Sequence, residues 1–423
     1  MSPTTRESLA APPIATWLPP SRSTDPVPAD RATRRRVGLI WGLLFFNVLS
    51  YASQETVVRI PSSLGKLMTQ GALALAFVLA LAVNRKLVVR PNTFLVISTV
   101  LAVCALMMSI RDQVSIVGSD YRAIRLIVFV ATLWLLTPWW GRTDMFLLKC
   151  QLRALGIVLA VVLLGLAIAP GKAFSFQGRL GGDIWPIPPT QVAHYGAVTA
   201  GMIAVLWFAG KVKRNVAIVV FCGSVFIVVL THTRTALIAL LVGILVAGLS
   251  LFGGRKRVRN VFAVILVVLV LSGVVLLPAL THWFSRGQST QEISQLTGRT
   301  VVWSELVNSP RPVDNMIFGF GLSNDSFNGL PIDDSWLAVY QGQGLVGDVL
   351  CGLIMLSLLL LAAFRPRGPA RAVALFLVVY CLIASFTETG LGGASTYMLD
   401  LSIAASLLIP RAPRLLATQR EFA

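Results

Sequence analysis

A chain of 423 residues with 56% hydrophobic and only 13% charged residues is not an ordinary soluble globule, whose charged fraction is nearer a quarter. Its formal net charge of +18 invites a nucleic-acid reading, but that requires Lys and Arg gathered on one face with aromatic residues between them. Here the basic residues punctuate hydrophobic runs instead, so no nucleic-acid partner is expected. The runs are about 17 to 22 residues long, the length that carries a helix across a hydrocarbon core of roughly 30 Å. Strict alternation is absent, which argues against a barrel. Cys104, Cys150, Cys222, Cys351 and Cys381 lie in or beside apolar runs, with no spacing suited to zinc, so neither a disulfide framework nor a metal or other cofactor is expected.

Taken in chain order, residues 1–36 are rich in Pro, Ser, Thr and Ala and read as a disordered tail. Arg31, Arg34, Arg35 and Arg36 precede an apolar stretch with no small-residue cleavage site after it, which suits a retained first helix rather than a signal peptide. The hydrophobic pattern predicts an all-α polytopic membrane protein of about twelve spans: 37–53, 63–83, 92–110, 121–138, 152–169, 189–208, 215–232, 235–252, 260–280, 335–363, 371–387 and 394–410. The chain thus divides into the tail, helices one to nine over 37–280, a loop lobe over 281–334, helices ten to twelve over 335–410, and a second tail over 411–423.

An even number of spans puts both termini on one side, and most of the 36 Lys and Arg fall on that same side. By the positive-inside rule it is the cytoplasm. The exceptions are Arg59, Lys66, Arg111, Arg122, Arg125, Lys172, Arg179, Arg234, Arg286, Arg299 and Arg311. Cations where topology does not ask for them suggest an anionic ligand held by planar guanidinium groups; the competing explanation is snorkelling to lipid headgroups. Two connections, 170–188 and 281–334, are long, and both fall on the outer side, where long loops usually carry function.

Four outward segments stand out. Arg179 to Asp183, followed by Pro188 to His194, is either a ligand loop or merely a tight loop entry. Thr231 to Leu237 makes an abrupt polar corner that pins Arg234 near lipid-phosphate depth, or is a plain interfacial turn. Gly298-Arg299 leads through Trp303 to Gly319-Phe320-Gly321; Arg299 would sit in the first turn of a helix where an anion is welcome, unless the stretch is simply a surface amphipathic helix. Asp333-Asp334-Ser335, with Gly344 and Gly347 deeper in the tenth helix, fits a helix cap or a general base for a sugar hydroxyl.

Taken together and in order, these segments resemble the O-antigen ligase and O-antigen polymerase superfamily, bacterial integral-membrane glycosyltransferases that act on undecaprenyl-diphosphate-linked glycans. The resemblance spans roughly 175 to 350. Arg179 to Ala193 looks like the family's R-x-x-G … HPN/T-x-x-A element, Thr231 to Leu237 its T-x-S-R-t-a-l corner, and Gly298 to Gly321 its G-R-x-x-x-W … G-x-G loop. The family's H-N-x9-G-x-x-G element aligns with Asp333, Asp334, Gly344 and Gly347. Where ligases carry His this chain has Asp333, as other members do, so the resemblance implies the superfamily without choosing between ligase and polymerase. It implies a GT-C-like architecture in the bacterial inner membrane, and an acceptor hydroxyl of a glycan or lipid-linked glycan attacking the anomeric carbon with diphosphate-lipid leaving. No nucleotide sugar and no metal are implied.

Growing negative charge on that leaving group calls for preorganised cations. Arg179, Arg234 and Arg299 are the expected diphosphate clamp, with Arg122 and Arg125 as further candidates and Asp333 or Asp334 as the expected general base. His282 is a fallback base, while His194 and His232 read as residues hydrogen-bonded at the interface. Two other readings stay open: a transporter or flippase for a lipid-linked or anionic substrate, and a non-catalytic assembly subunit. Transport calls for broken helices, mid-membrane charge and often two related halves; the sequence offers no internal repeat and no evident central charge.

Overall fold

The computed structural model describes residues 31–51, 57, 61–112, 118–252, 258–260, 299–322 and 325–409. The predicted ninth span beyond residue 260, the lobe up to Gly298 with His282 and Arg286, Arg59, and both tails outside 31–409 lie outside the described residues. Among the described residues the regular structure is helical, apart from one two-residue hairpin pairing Ser326–Phe327 with Leu330–Pro331 and an isolated bridge between Phe176 and Arg179.

The helices are α1 (Arg31–Asn47), α2 (Ser62–Val83), α3 (Thr93–Asp112), α4 (Ser119–Leu135), α5 (Phe146–Ile168), the short α6 (Pro170–Ala173), α7 (Pro189–Phe208), α8 (Arg214–Leu230) and α9 (Arg234–Phe252). Beyond the gap come α10 (Arg299–Asn308), α11 (Val313–Phe318), α12 (Ser335–Phe364), α13 (Pro369–Ala384) and α14 (Thr396–Leu408). Among the described residues, α2, α3, α5, α7, α9 and α12 are long and apolar enough to cross a membrane, and α8, α13 and α14 are shorter apolar helices. Every predicted span except 260–280 meets a helix, so the all-α polytopic class holds; the number twelve is not established.

Boundaries differ where polar residues extend a helix beyond its apolar run. The first begins at Arg31, six residues before the predicted start and inside the segment read as tail, because arginine is a good helix former and hydrogen bonding does not stop at the hydrocarbon edge. The same reason moves the start of α5 from 152 to Phe146.

Close helix approach comes from small residues, as expected where lipid offers no hydrophobic drive for association. The Phe376 ring of α13 lies where Cβ atoms on Gly201 of α7 and Gly243 of α9 would stand, at 1.8 and 2.9 Å from its atoms. That wedge makes α13 a central helix, with Ala372, Val373, Phe376, Leu377 and Tyr380 all fully buried. Helix α7 is buried along nearly its whole length.

The antiparallel run of helices gathers the connections at two ends. At one, Asn84 Nδ2 donates to Leu135 O (3.0 Å), Gly141 N to Ser406 O (2.9 Å) and Arg365 Nη1 to Leu408 O (2.8 Å). At the other, termed the site end, Val57 N donates to Asp183 O (2.8 Å), Arg125 Nη2 to Asn47 O (2.8 Å) and Ser335 Oγ to Glu388 O (2.6 Å).

Helix α12 is broken. Gly344 adopts φ 63° and ψ −165°, and into the break comes the lobe: Phe320 N donates to Gln341 O (3.0 Å) and Gly321 N to Gly342 O (2.8 Å). A Cβ on Gly344 would lie 2.4 Å from Ile317 O, and one on Gly319 2.4 Å from Gln343 N. Backbone therefore touches backbone at both glycines, and the carbonyls freed by the break are satisfied by the lobe's own amides, as buried backbone groups require.

Candidate active site

Arg179 leaves the loop after α6 and donates from Nε to Thr231 O (2.9 Å) and from Nη2 to Thr233 Oγ1 (3.0 Å). It is thereby tied to the turn between α8 and α9 whose next residue, Arg234, opens α9. His232 in that turn takes a left-handed φ of 50°, which reverses the chain within three residues. The two arginines predicted from separate motifs thus share one corner.

Arg299 opens α10 and grips Asp333: its Nε and Nη2 each lie 3.2 Å from Asp333 Oδ2. The Trp303 indole, one turn on, donates to Ile332 O (2.7 Å), so the G-R-x-x-x-W pattern fastens the first turns of α10 to the segment entering α12. Asp334 is buried and caps α12, its Oδ1 accepting from Leu337 N (2.8 Å). Burial raises the Asp334 pKa, opposed by the Leu337 and Trp336 amides and by Arg299. Asp334 thus caps α12, and Asp333 is the ion-pair partner of Arg299.

A third acid at this mouth was not singled out from the sequence. Glu388, in the turn between α13 and α14, lies within electrostatic range of Arg179, Arg299 and Asp333. Its Oε2 accepts from Tyr397 Oη (3.0 Å), whereas its Oε1 is enclosed without a hydrogen-bond partner among the described residues. Burial lifts its pKa to about 7 against the lowering effects of His194, Tyr397 and Arg299. Burial also lowers the Arg179 pKa, and the Glu388 carboxylate counters it.

Behind Glu388 runs a buried polar chain. Trp41 Nε1 donates to Gln151 Oε1 (2.8 Å), Gln151 Nε2 to Asp400 Oδ1 (2.8 Å), and His194 Nε2 lies 2.9 Å from Asp400 Oδ2. His194 and Asp400 are each only 1% exposed, so His194 is a core residue and not the interfacial one its position suggested. Nor are the spans free of ionisable groups, for Asp348 also lies within α12.

Arg122 and Arg125 stand apart from this group. They line a cavity of about 130 Å³ with Ser335, Gln343 and the glycine-rich turn Gly390, Gly392 and Gly393. Arg125 is committed to the C-terminal end of α1, donating to both Asn47 O and Asn47 Oδ1. Two further unexpected cations have structural partners: Arg111 pairs with Asp314 at 3.3 Å, and Arg311 stacks 4.9 Å from the Tyr340 ring centre while donating to Leu306 O. Each joins the lobe to the helices.

The arrangement defines a multi-pass helical membrane protein with arginines and acids assembled at one end of the bundle. Residues 217–343 match the family model described as O-antigen ligase, which supports the O-antigen ligase superfamily that the motifs resemble. The matched stretch holds Arg234, Arg299, Asp333 and Asp334; Arg179, Arg122, Arg125 and Glu388 lie outside it. No curated protein matches the chain. The apolar helices and the family match together point to a multi-pass membrane protein of the bacterial inner membrane, and the match suggests an enzyme of glycosyltransferase type.

Proposed function

We propose that this chain transfers a glycan from an undecaprenyl-diphosphate-linked donor to a hydroxyl of a glycan or lipid-glycan acceptor, as a ligase or polymerase, without metal or nucleotide sugar. The site end faces the extracytoplasmic side and both termini lie in the cytoplasm. What carries the reading is the joining of Arg179 to the Arg234 corner, with Arg299 and its acid partner Asp333 within electrostatic range of Arg179. Guanidinium groups held there by backbone carbonyls and side chains meet a diphosphate without reorganising, which is where electrostatic catalysis gains most. Arg122 and Arg125, at the neighbouring cavity, are the further candidates for contact with the diphosphate.

The transport reading has one feature in its favour, the break in α12 with Asp348 four residues further along. Lobe backbone fills that break, so it is not left open to coordinate a passing ion. The test is to incubate purified protein with a lipid-diphosphate oligosaccharide, with and without candidate acceptors, and to size the products. Arg234→Ala is expected to abolish transfer with membrane insertion intact; an unchanged transfer rate would point to transport or scaffolding.

A further inference from the structure

The glycosyltransferase reading needs a group that takes the acceptor's proton, and neither expected acid is well suited. Asp333 Oδ2 is held by two nitrogens of Arg299, and Asp334 Oδ1 is engaged in the cap of α12. Each of these oxygens already accepts from a donor within the protein.

Glu388 differs in geometry. One oxygen is fixed by Tyr397, and the other, Oε1, has no partner among the described residues. The same holds for two other enclosed atoms nearby, His194 Nδ1 and Tyr380 Oη. The three belong to one cluster: the His194 ring lies 4.7 Å from that of Tyr397 and 5.2 Å from that of Tyr380, and Tyr397 holds Glu388 at 3.0 Å. Buried polar atoms are rarely left unpaired, and a carboxylate oxygen at the site end with no partner of its own is suited to take a proton from a bound group.

The cluster also lies between the two cationic regions. On one side Glu388 faces Arg179 and Arg299; on the other, its own turn continues through Gly390, Gly392 and Gly393 into the wall of the cavity that Arg122 and Arg125 line. We propose that Glu388 is the general base of glycan transfer. This assignment rests on the glycosyltransferase reading above.

In the step, the acceptor oxygen forms its bond to the anomeric carbon while its proton passes to Glu388 Oε1. The bond from that carbon to the diphosphate oxygen breaks, and its electron pair leaves with the lipid diphosphate. The proton then departs from Glu388 to solvent at the site end. His194 packs against the ring of Tyr397, the tyrosine that holds Glu388 Oε2, and its Nε2 lies 2.9 Å from Asp400.

Among the described residues the groups facing Glu388 are His194 and Tyr195 of α7, Tyr380 of α13, Tyr397 of α14, Arg299 of α10, Asp333 before α12, and Arg179. A base whose pKa lies near neutrality is protonated, and idle, in acid, so transfer should rise with pH through about 7. The experiment measures initial transfer rates by the full-length protein in detergent, with a lipid-diphosphate oligosaccharide and a saturating acceptor glycan, across that pH range. E388Q is expected to lower kcat by about 10²- to 10⁴-fold with little change in donor KM, and to remove the rise with pH. E388D should retain the rise at a reduced rate.

Wild-type transfer with no inflection near neutrality overturns the assignment, whether or not the variants fold. So does E388Q transferring at the wild-type rate with the wild-type profile. A wild-type protein that consumes no lipid-diphosphate donor refutes the glycosyltransferase reading itself, and the base assignment with it.

Discussion

Replacing Gly344 by Ala tests whether the break in α12 is imposed by the docked lobe. The residue holds φ 63° and ψ −165°, a combination that costs an L-residue about 1–3 kcal/mol. The added Cβ would meet Ile317 O at 2.4 Å and Phe318 N at 2.5 Å. Those are backbone atoms that cannot rotate away, so overpacking adds about 1–3 kcal/mol. The variant is therefore expected to lose about 2–6 kcal/mol, or to escape the penalty by expelling the 317–321 segment. Gly352, in the same helix with nothing within 4 Å of its Cβ position, supplies the control: G352A should be neutral or up to about 1 kcal/mol more stable. Equilibrium unfolding in mixed micelles measures both, and limited proteolysis reports release of the lobe. If G344A proves as stable as G352A, with the lobe equally protected and transfer undiminished, the account of the broken helix is wrong.

Two further variants probe the site. R179K keeps the charge but loses the planar fork that reaches both Thr231 O and Thr233 Oγ1; transfer should fall by about 10- to 100-fold, roughly 1.4–2.7 kcal/mol, while expression holds. Product formation from a labelled lipid-diphosphate donor would read it, and a lysine variant at the wild-type rate would count against a positioned guanidinium. Asp400→Ala strips the shared acceptor from Gln151 and His194 within the bundle and should cost about 2–5 kcal/mol. Unfolding in micelles would measure it, and a loss below about 1 kcal/mol would mean the chain is already satisfied otherwise.

The spans were legible because lipid enforces one signal, an uninterrupted apolar run, and their helices appear where that signal lies. Arg179, Arg234 and Arg299 drew notice for a related reason, as cations where the positive-inside rule does not ask for them, and the fold ties Arg179 to the corner that opens onto Arg234. Glu388 carried no such mark. It is one acid in a Thr-Glu-Thr-Gly turn, and its significance comes from Tyr380, Tyr397 and His194, the last nearly two hundred residues away in sequence. Asp400 and His194 likewise become a pair only once α7 and α14 lie side by side. Gly319, Gly321 and Gly344 could be recognised as a motif, but their reason, a loop backbone pressed into a parted helix, exists only in three dimensions. The ends of α1 and α5 were missed because the apolar run marks the hydrocarbon, not the helix.

The broken helix also bears on how the two functional readings divide. In a transporter, unwound backbone in the middle of a span lines a path and holds ions with freed carbonyls. Here the freed carbonyls of Gln341 and Gly342 are taken by Phe320 and Gly321 of the same chain, so the break anchors the lobe to the bundle. Arg311, stacked on Tyr340 one turn before the break, and the Trp303 bond to Ile332 draw the lobe to the same helix. All three contacts bear on the segment that presents Arg299 to Asp333 and its surroundings. A rigid attachment of that kind suits a site that must hold cations steady while charge develops on a leaving group. It would hinder a protein that had to rock open to both sides of the membrane. Arg299 and the break in α12 are thus structurally linked: the lobe docks where the helix parts, and the docked lobe carries Arg299 to Asp333.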